Sequence, residues 1–203
     1  MRDFLLIVFS YLVGSISFAY IASRIFKNID IRTVGDRNAG VANVFRHIGI
    51  TAGIFTAVAD IGKGTIAIFT AQLFCANNIT VLLCGIASIL GHAWPIFFGF
   101  KGGRGVATTT GVFLALMPLP TFLSLMVVTL IILKTGNMTF AVTALFVSIL
   151  TFAALIEKSL MFFLYFLLLG FLLKVIDVVI DKNLSVGELE ESNHLRIHRH
   201  QKV

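Results

Sequence analysis

The sequence predicts an all-α integral membrane protein, a bundle of about seven transmembrane helices with its amino terminus outside and its carboxyl terminus in the cytoplasm. Two features of composition carry the class, and the placement of charge carries the orientation. Of 203 residues, 58% are hydrophobic and 13% charged, too little charge to cover a soluble domain of this size. Phenylalanine occurs 20 times against a single Trp, a bias that suits side chains facing hydrocarbon better than a compact core. The basic residues collect in a few loops and at the carboxyl end.

Five apolar runs, at 4–25, 50–75, 79–100, 139–156 and 159–180, satisfy the rule that ~20 residues cross the hydrocarbon. The first lacks a small-residue cleavage site and is read as a retained helix rather than a leader. The stretch 106–133 permits one tilted helix or two short ones broken at Pro118 and Pro120. Proline removes a backbone donor and disfavours helix just before it, so a tight turn at Met117–Pro120 is expected. Loop charge decides between the two. Lys27, Arg32, Arg37 and Arg46 fall in the first loop, and Lys101 and Arg104 in the third. Lys174, Lys182, Arg196, Arg199 and Lys202 lie at or beyond the last helix. Lys and Arg collect on the cytoplasmic side, and only seven helices bring all three groups there. Residues 1–180 then form the transmembrane domain and 181–203 a polar cytoplasmic tail. The net charge of +6 follows from this topology and implies no nucleic-acid partner. Cys75 and Cys84 flank Asn77 and Asn78 in a short loop, fit no metal or redox motif, and count as small apolar side chains.

Two inner segments carry more chemistry than a connector needs. One is Val34–Arg46, with two Gly, two Asn and two Arg. The other runs Gly91-His92-Ala93-Trp94-Pro95 to Lys101-Gly102-Gly103-Arg104-Gly105 and opens the fourth helix. Glycines let backbone N–H groups converge, and a following helix amino terminus adds unpaired donors and partial positive charge. Lys101 and Arg104 beside such a turn make a phosphate site; a flexible basic loop is the other reading. The neighbouring His92 favours the site, because a histidine buried in a membrane helix needs a partner. Asp60 and Lys63 lie three apart on one helical face inside the second span. They form either a structural ion pair or a substrate contact, and in both cases must face the bundle interior.

The string Gly91-His92-x-x-Pro95-x-Phe97-x-x-Phe100-Lys101-Gly102-Gly103-Arg104-Gly105-Val106-Ala107-Thr108 resembles the central motif of the bacterial acyl-phosphate:glycerol-3-phosphate acyltransferases. Asn38-x-Gly40-x-x-Asn43-x-x-Arg46 and Asp60-x-x-Lys63-Gly64 fall in the same order as in that family. The resemblance covers roughly residues 5–115 closely and the remainder only as hydropathy.

The resemblance implies a reaction: transfer of a fatty acyl group from acyl phosphate to the 1-hydroxyl of glycerol 3-phosphate, giving lysophosphatidic acid for phospholipid synthesis. It implies no nucleophilic Ser or Cys, no cofactor and no metal, the positive field coming from Lys and Arg. His92 is the catalytic candidate, for substrate orientation or proton handling. Asn38, Gly40, Asn43, Arg46, Lys63, Lys101, Gly102, Gly103, Arg104, Gly105 and Thr139 are the substrate-binding candidates, Arg46 for phosphate and 101–105 as the acyl-phosphate cradle. The expected setting is a bacterial inner membrane with the site facing the cytoplasm and the acyl chain between helices. Several positions depart from the family pattern. Asp36-Arg37-Asn38 stands for Ser-Gly-Asn, Val41-Ala42-Asn43 for Ala-Thr-Asn, and Arg104 for a frequent Lys. Thr139 is the nearest match to a Ser at the start of the sixth helix, and the tail motif His-Arg-x-Asn has only a late echo in His198-Arg199-His200-Gln201. The rival reading is a diverged, non-catalytic homologue that binds phosphate-bearing lipids or substrates, or acts in transport or assembly.

Overall fold

Long apolar runs with few breakers fold as helices here, and helix is the only regular structure among the described residues. The computed structural model describes residues 1–74 and 77–200; the side chains of 183 and 185–200 lie outside the described set. The chain forms α1 (Arg2–Gly14), α2 (Phe18–Lys27), α3 (Val41–His47), α4 (Ile50–Phe74), α5 (Asn78–Ala93), α6 (Val106–Leu116), α7 (Pro118–Thr135), α8 (Met138–Ile156) and α9 (Leu160–His200). Short 3-10 turns occur at Ile31–Thr33 and Ile96–Phe98.

Among the described residues six helical stretches are long and apolar enough to cross a membrane, and the shorter apolar α6 is a seventh segment. The 106–133 stretch divides as expected. Met117 leaves helical geometry with φ −137° and ψ 72°, and Pro118 opens α7 at a position where its missing N–H costs nothing.

Four features differ from the sequence reading. The first span is broken between α1 and α2 at Ser15–Ser17, where the sequence predicts one helix. There the Ser15 hydroxyl bonds back to the Tyr11 carbonyl, and the Ile16 carbonyl is taken by Lys63 of α4 at 2.8 Å. α5 stops at Ala93 rather than near residue 100, because Trp94 precedes a proline and sits outside the helical region. The first loop contains the short helix α3, where the sequence reading has only a connecting segment. Cys84 lies buried within α5, as its place in the 79–100 run and its reading as a small apolar side chain require, and Cys75 falls outside the described residues. α9 continues unbroken past residue 181, the expected start of the tail.

Close packing rests on glycines at helix crossings. A Cβ on Gly64 would strike the Thr108 carbonyl, and one on Gly111 would strike the Ile61 carbonyl, so α4 and α6 touch backbone to backbone. The Thr65 hydroxyl adds a 3.0 Å bond to the Gly111 carbonyl at the same crossing. Phe113, Ile68, Ile89, Met117, Ile149 and Leu169 fill the interior, while Phe69, Phe122, Leu130 and Phe171 project outward as a lipid-facing surface requires. At one end of the bundle the Thr80 hydroxyl meets Asp3 at 3.2 Å. The other end gathers residues 28–49 and 94–105.

Candidate functional site

The first loop is held in shape by one asparagine. Asn43, buried in the first turn of α3, donates through its amide to the carbonyls of Ile31, Val34 and Asn38 at 3.0–3.1 Å. A short polar side chain can thus organise a turn that has no ladder of its own. Asp36 fills a local role in the same turn: its Oδ1 accepts from the Asn38 N–H at 3.2 Å, and its Oδ2 lies 3.6 Å from Arg46. A carboxylate therefore supplies the side-chain-to-backbone bond that a Ser can also make. Arg46 itself stays largely exposed.

The second loop folds back on the end of α5. The N–H groups of Gly102 and Gly103 donate to the carbonyls of Ala93 and His92 at 3.2 and 3.1 Å. The Ala39 N–H then donates to the Gly102 carbonyl at 3.3 Å, joining the two loops directly. This approach needs a residue without a side chain, since a Cβ on Gly103 would collide with His92 Nε2 and the Ala39 carbonyl. Gly105 opens α6 at φ 84°, a left-handed conformation that glycine adopts without strain. Lys101 is exposed beside the turn.

A second tie lies at the rim. Arg32 grips Asp30 through Nε at 2.9 Å and Nη2 at 2.8 Å, reaches the Phe98 carbonyl through Nη1 at 2.8 Å, and lies 4.9 Å from the Tyr20 ring centre. These charge-assisted bonds from Arg32 hold the Asp30 carboxyl below the usual carboxylate range.

Beneath the loops sits a buried charged cluster. The Lys63 ammonium lies 2.9 Å from Asp60 Oδ1, with side-chain exposures of 2% and 1%. His92 Nδ1 faces the same oxygen at 3.7 Å. Charges so far from water persist only when paired and bonded, and Lys63 meets both demands through Asp60 and the Ile16 carbonyl.

The structure thus brings together Asn38, Gly40, Asn43, His92 and the Gly102–Gly105 turn, with Lys101 and Arg46 at the surface nearby. Lys63 faces protein groups rather than the loop surface. Arg104 turns toward α9, with Nε 3.0 Å from Asp177 and Nη2 2.8 Å from Asp181. Thr139 is exposed in the first turn of α8, and none of its bonds joins it to the two loops. Sequence reasoning missed Asp177, Asp181 and the Arg32 tie. The two carboxylates carried a signal: four residues apart, they share one helical face at the end of a long apolar run. The side chains of the His198–Gln201 string lie outside the described residues.

The glycerol-3-phosphate acyltransferase family model matches residues 4–180. Among curated relatives, "Glycerol-3-phosphate acyltransferase 2" of Bacillus anthracis is 45% identical over 133 residues, 66% of this chain and 70% of that protein. The glycerol-3-phosphate acyltransferase of Maridesulfovibrio salexigens is 39% identical over 150 residues, 71% of this chain and 77% of its own length. The crystal structure of PlsY (YgiH), an integral membrane glycerol 3-phosphate acyltransferase in its glycerol 3-phosphate form, superposes with a TM-score of 0.77 at 31% identity. That superposition covers 92% of this chain and 94% of the other. Since the family match runs through the joined loops and on into α9, the chain belongs to the glycerol-3-phosphate acyltransferase family.

Proposed function

We propose that this chain is a membrane acyltransferase that moves a fatty acyl group from acyl phosphate to the 1-hydroxyl of glycerol 3-phosphate. The observation that carries the reading is the junction of the two loops. The Ala39–Gly102 bond sets the Asn38–Arg46 segment against the Lys101–Gly105 turn directly over His92. Two phosphate-bearing substrates need two basic, backbone-rich surfaces facing one another, with an ionisable group between them. The turn and the amino terminus of α6 would cradle the acyl phosphate beside Lys101, and Arg46 would take the phosphate of the acceptor.

In the step proposed, the hydroxyl oxygen attacks the acyl carbonyl carbon and the bond from that carbon to the bridging phosphate oxygen breaks. The hydroxyl proton passes to His92 or to the departing phosphate. The donor's chain would lie between helices while both phosphates stay at the membrane surface. With positive charge concentrated at this end, the loops would face the cytoplasm of a bacterial inner membrane.

The test is phosphate release from protein in lipid nanodiscs supplied with acyl phosphate and glycerol 3-phosphate. Turnover that Lys101→Ala lowers by about 100-fold or more supports the assignment, the size expected when one donor to a developing charge is removed. A folded protein that binds acyl phosphate and releases none would favour the non-catalytic homologue.

A further inference from the structure

We infer that Asp60 is a positioning residue for His92: it fixes the imidazole proton on Nδ1 and turns an unprotonated Nε2 toward the Gly102–Gly103 turn. The inference deepens the proposed reaction and rests on it for its consequence, though not for its geometry.

His92 touches two surroundings of opposite character. Nδ1 is sealed from solvent, and the charged group it faces is Asp60 Oδ1 at 3.7 Å. An ionised carboxylate accepts and cannot donate, so the ring edge toward it is the edge that carries hydrogen. The remaining gap is about 0.7 Å beyond an ordinary N–H···O bond, which a small side-chain rotation closes. Nε2, on the other edge, lies where a Cβ of Gly103 would collide with it. The bare nitrogen is therefore the one presented to the loop junction, where a hydroxyl proton could be taken. Which nitrogen of a histidine carries the proton is decided by the partner of the other, and Asp60 is that partner.

Lys63 makes the arrangement stable. Alone, the Asp60 carboxylate would be an unpaired charge inside a membrane protein. Lys63 neutralises it from the same helix, three residues on, and is itself anchored on the Ile16 carbonyl at the α1–α2 break. The broken first span, the ion pair and the histidine then form one connected device. The helix break frees a carbonyl, the carbonyl holds the lysine, the lysine holds the aspartate, and the aspartate orients the ring.

The experiment is nitrogen-15 spectroscopy of ring-labelled histidine in nanodiscs without substrate, with His92 assigned by the signal lost in His92→Gln. Nδ1 protonated and Nε2 bare is the expected result. A ring protonated on Nε2, or on both nitrogens, overturns the inference. Asp60→Asn gives a second arm. Lys63 can only donate, so it takes the new carbonyl oxygen and leaves the amide N–H₂ toward Nδ1. The proton then moves to Nε2, and kcat falls by about 100-fold or more while KM stays within about threefold. Asp60→Glu keeps the acceptor and should restore the Nδ1 proton and much of kcat. Asp60→Asn protein that folds, keeps the Nδ1 proton and turns over normally also overturns the inference. If the parent releases no phosphate, the acyltransferase reading fails while the tautomer result still decides the role of Asp60.

Discussion

Gly103 does the most with the least at the scale of single residues. It lets the His92 ring and the Ala39 carbonyl approach from two sides, and a methyl group there has nowhere to go. One of those neighbours is backbone, so relief requires the loops to part. Gly103→Ala should lower kcat/KM by about 100-fold, the size of effect that a misplacement near 1 Å produces in an active site. Gly62→Ala is the control: a Cβ there meets nothing within 4 Å, and in the interior of α4 it improves helix propensity. Equal activity of the two variants in the phosphate-release assay would show that the loop contact is not needed. Asp36 illustrates the same scale differently. In the sequence it stands where the family pattern has Ser, and in the fold its Oδ1 is committed to the Asn38 N–H and its Oδ2 faces Arg46.

Between elements, the crossing of α4 and α6 sets the depth at which the site is built. α4 carries Asp60 and Lys63, and α6 begins at Gly105, where the Gly-rich turn ends. The two helices meet through Gly64 and Gly111, each against the other's backbone. A larger side chain would push the helices apart and shift the turn relative to the charged cluster. Gly111→Val should therefore destabilise the protein by about 1–3 kcal/mol, the usual cost of overpacking, seen as a lower midpoint of thermal unfolding in detergent. Gly170→Val, where a Cβ on α9 meets nothing within 4 Å, should leave the midpoint nearly unchanged. Similar midpoints for both variants would mean the crossing yields easily.

Across the whole molecule, the helical plan was legible because lipid imposes it: any apolar run of sufficient length must satisfy its own backbone as helix. The split at Met117 was legible too, since Pro118 and Pro120 act locally. What stayed hidden depends on distant partners. No breaker in Ser15–Ser17 announces the first break, whose Ile16 carbonyl is held by a lysine far along the chain. The loops are joined by the Ala39–Gly102 backbone bond and by Arg32 on the Phe98 carbonyl, contacts between residues more than sixty apart. The candidate residues stood out as motifs, but Arg104 shows where motif reading stops, because its guanidinium is shared with α9. Asp177 and Asp181 hold it at 3.0 and 2.8 Å, and Lys174 lies 3.5 Å from Asp177. The last helix is thereby tied to the loop proposed to cradle phosphate, and an arriving phosphate must compete with two carboxylates for one guanidinium. These pairs are partly exposed, so the competition is weak: each is worth at most about 1 kcal/mol. Asp177→Asn with Asp181→Asn should free Arg104 and lower the inhibition constant for inorganic phosphate by about two- to fivefold. The same double variant carrying Arg104→Gln should lose that gain. An inhibition constant unmoved by the double substitution would mean that Arg104 stays with α9 during binding, leaving Lys101 and the backbone of the turn to hold the anion.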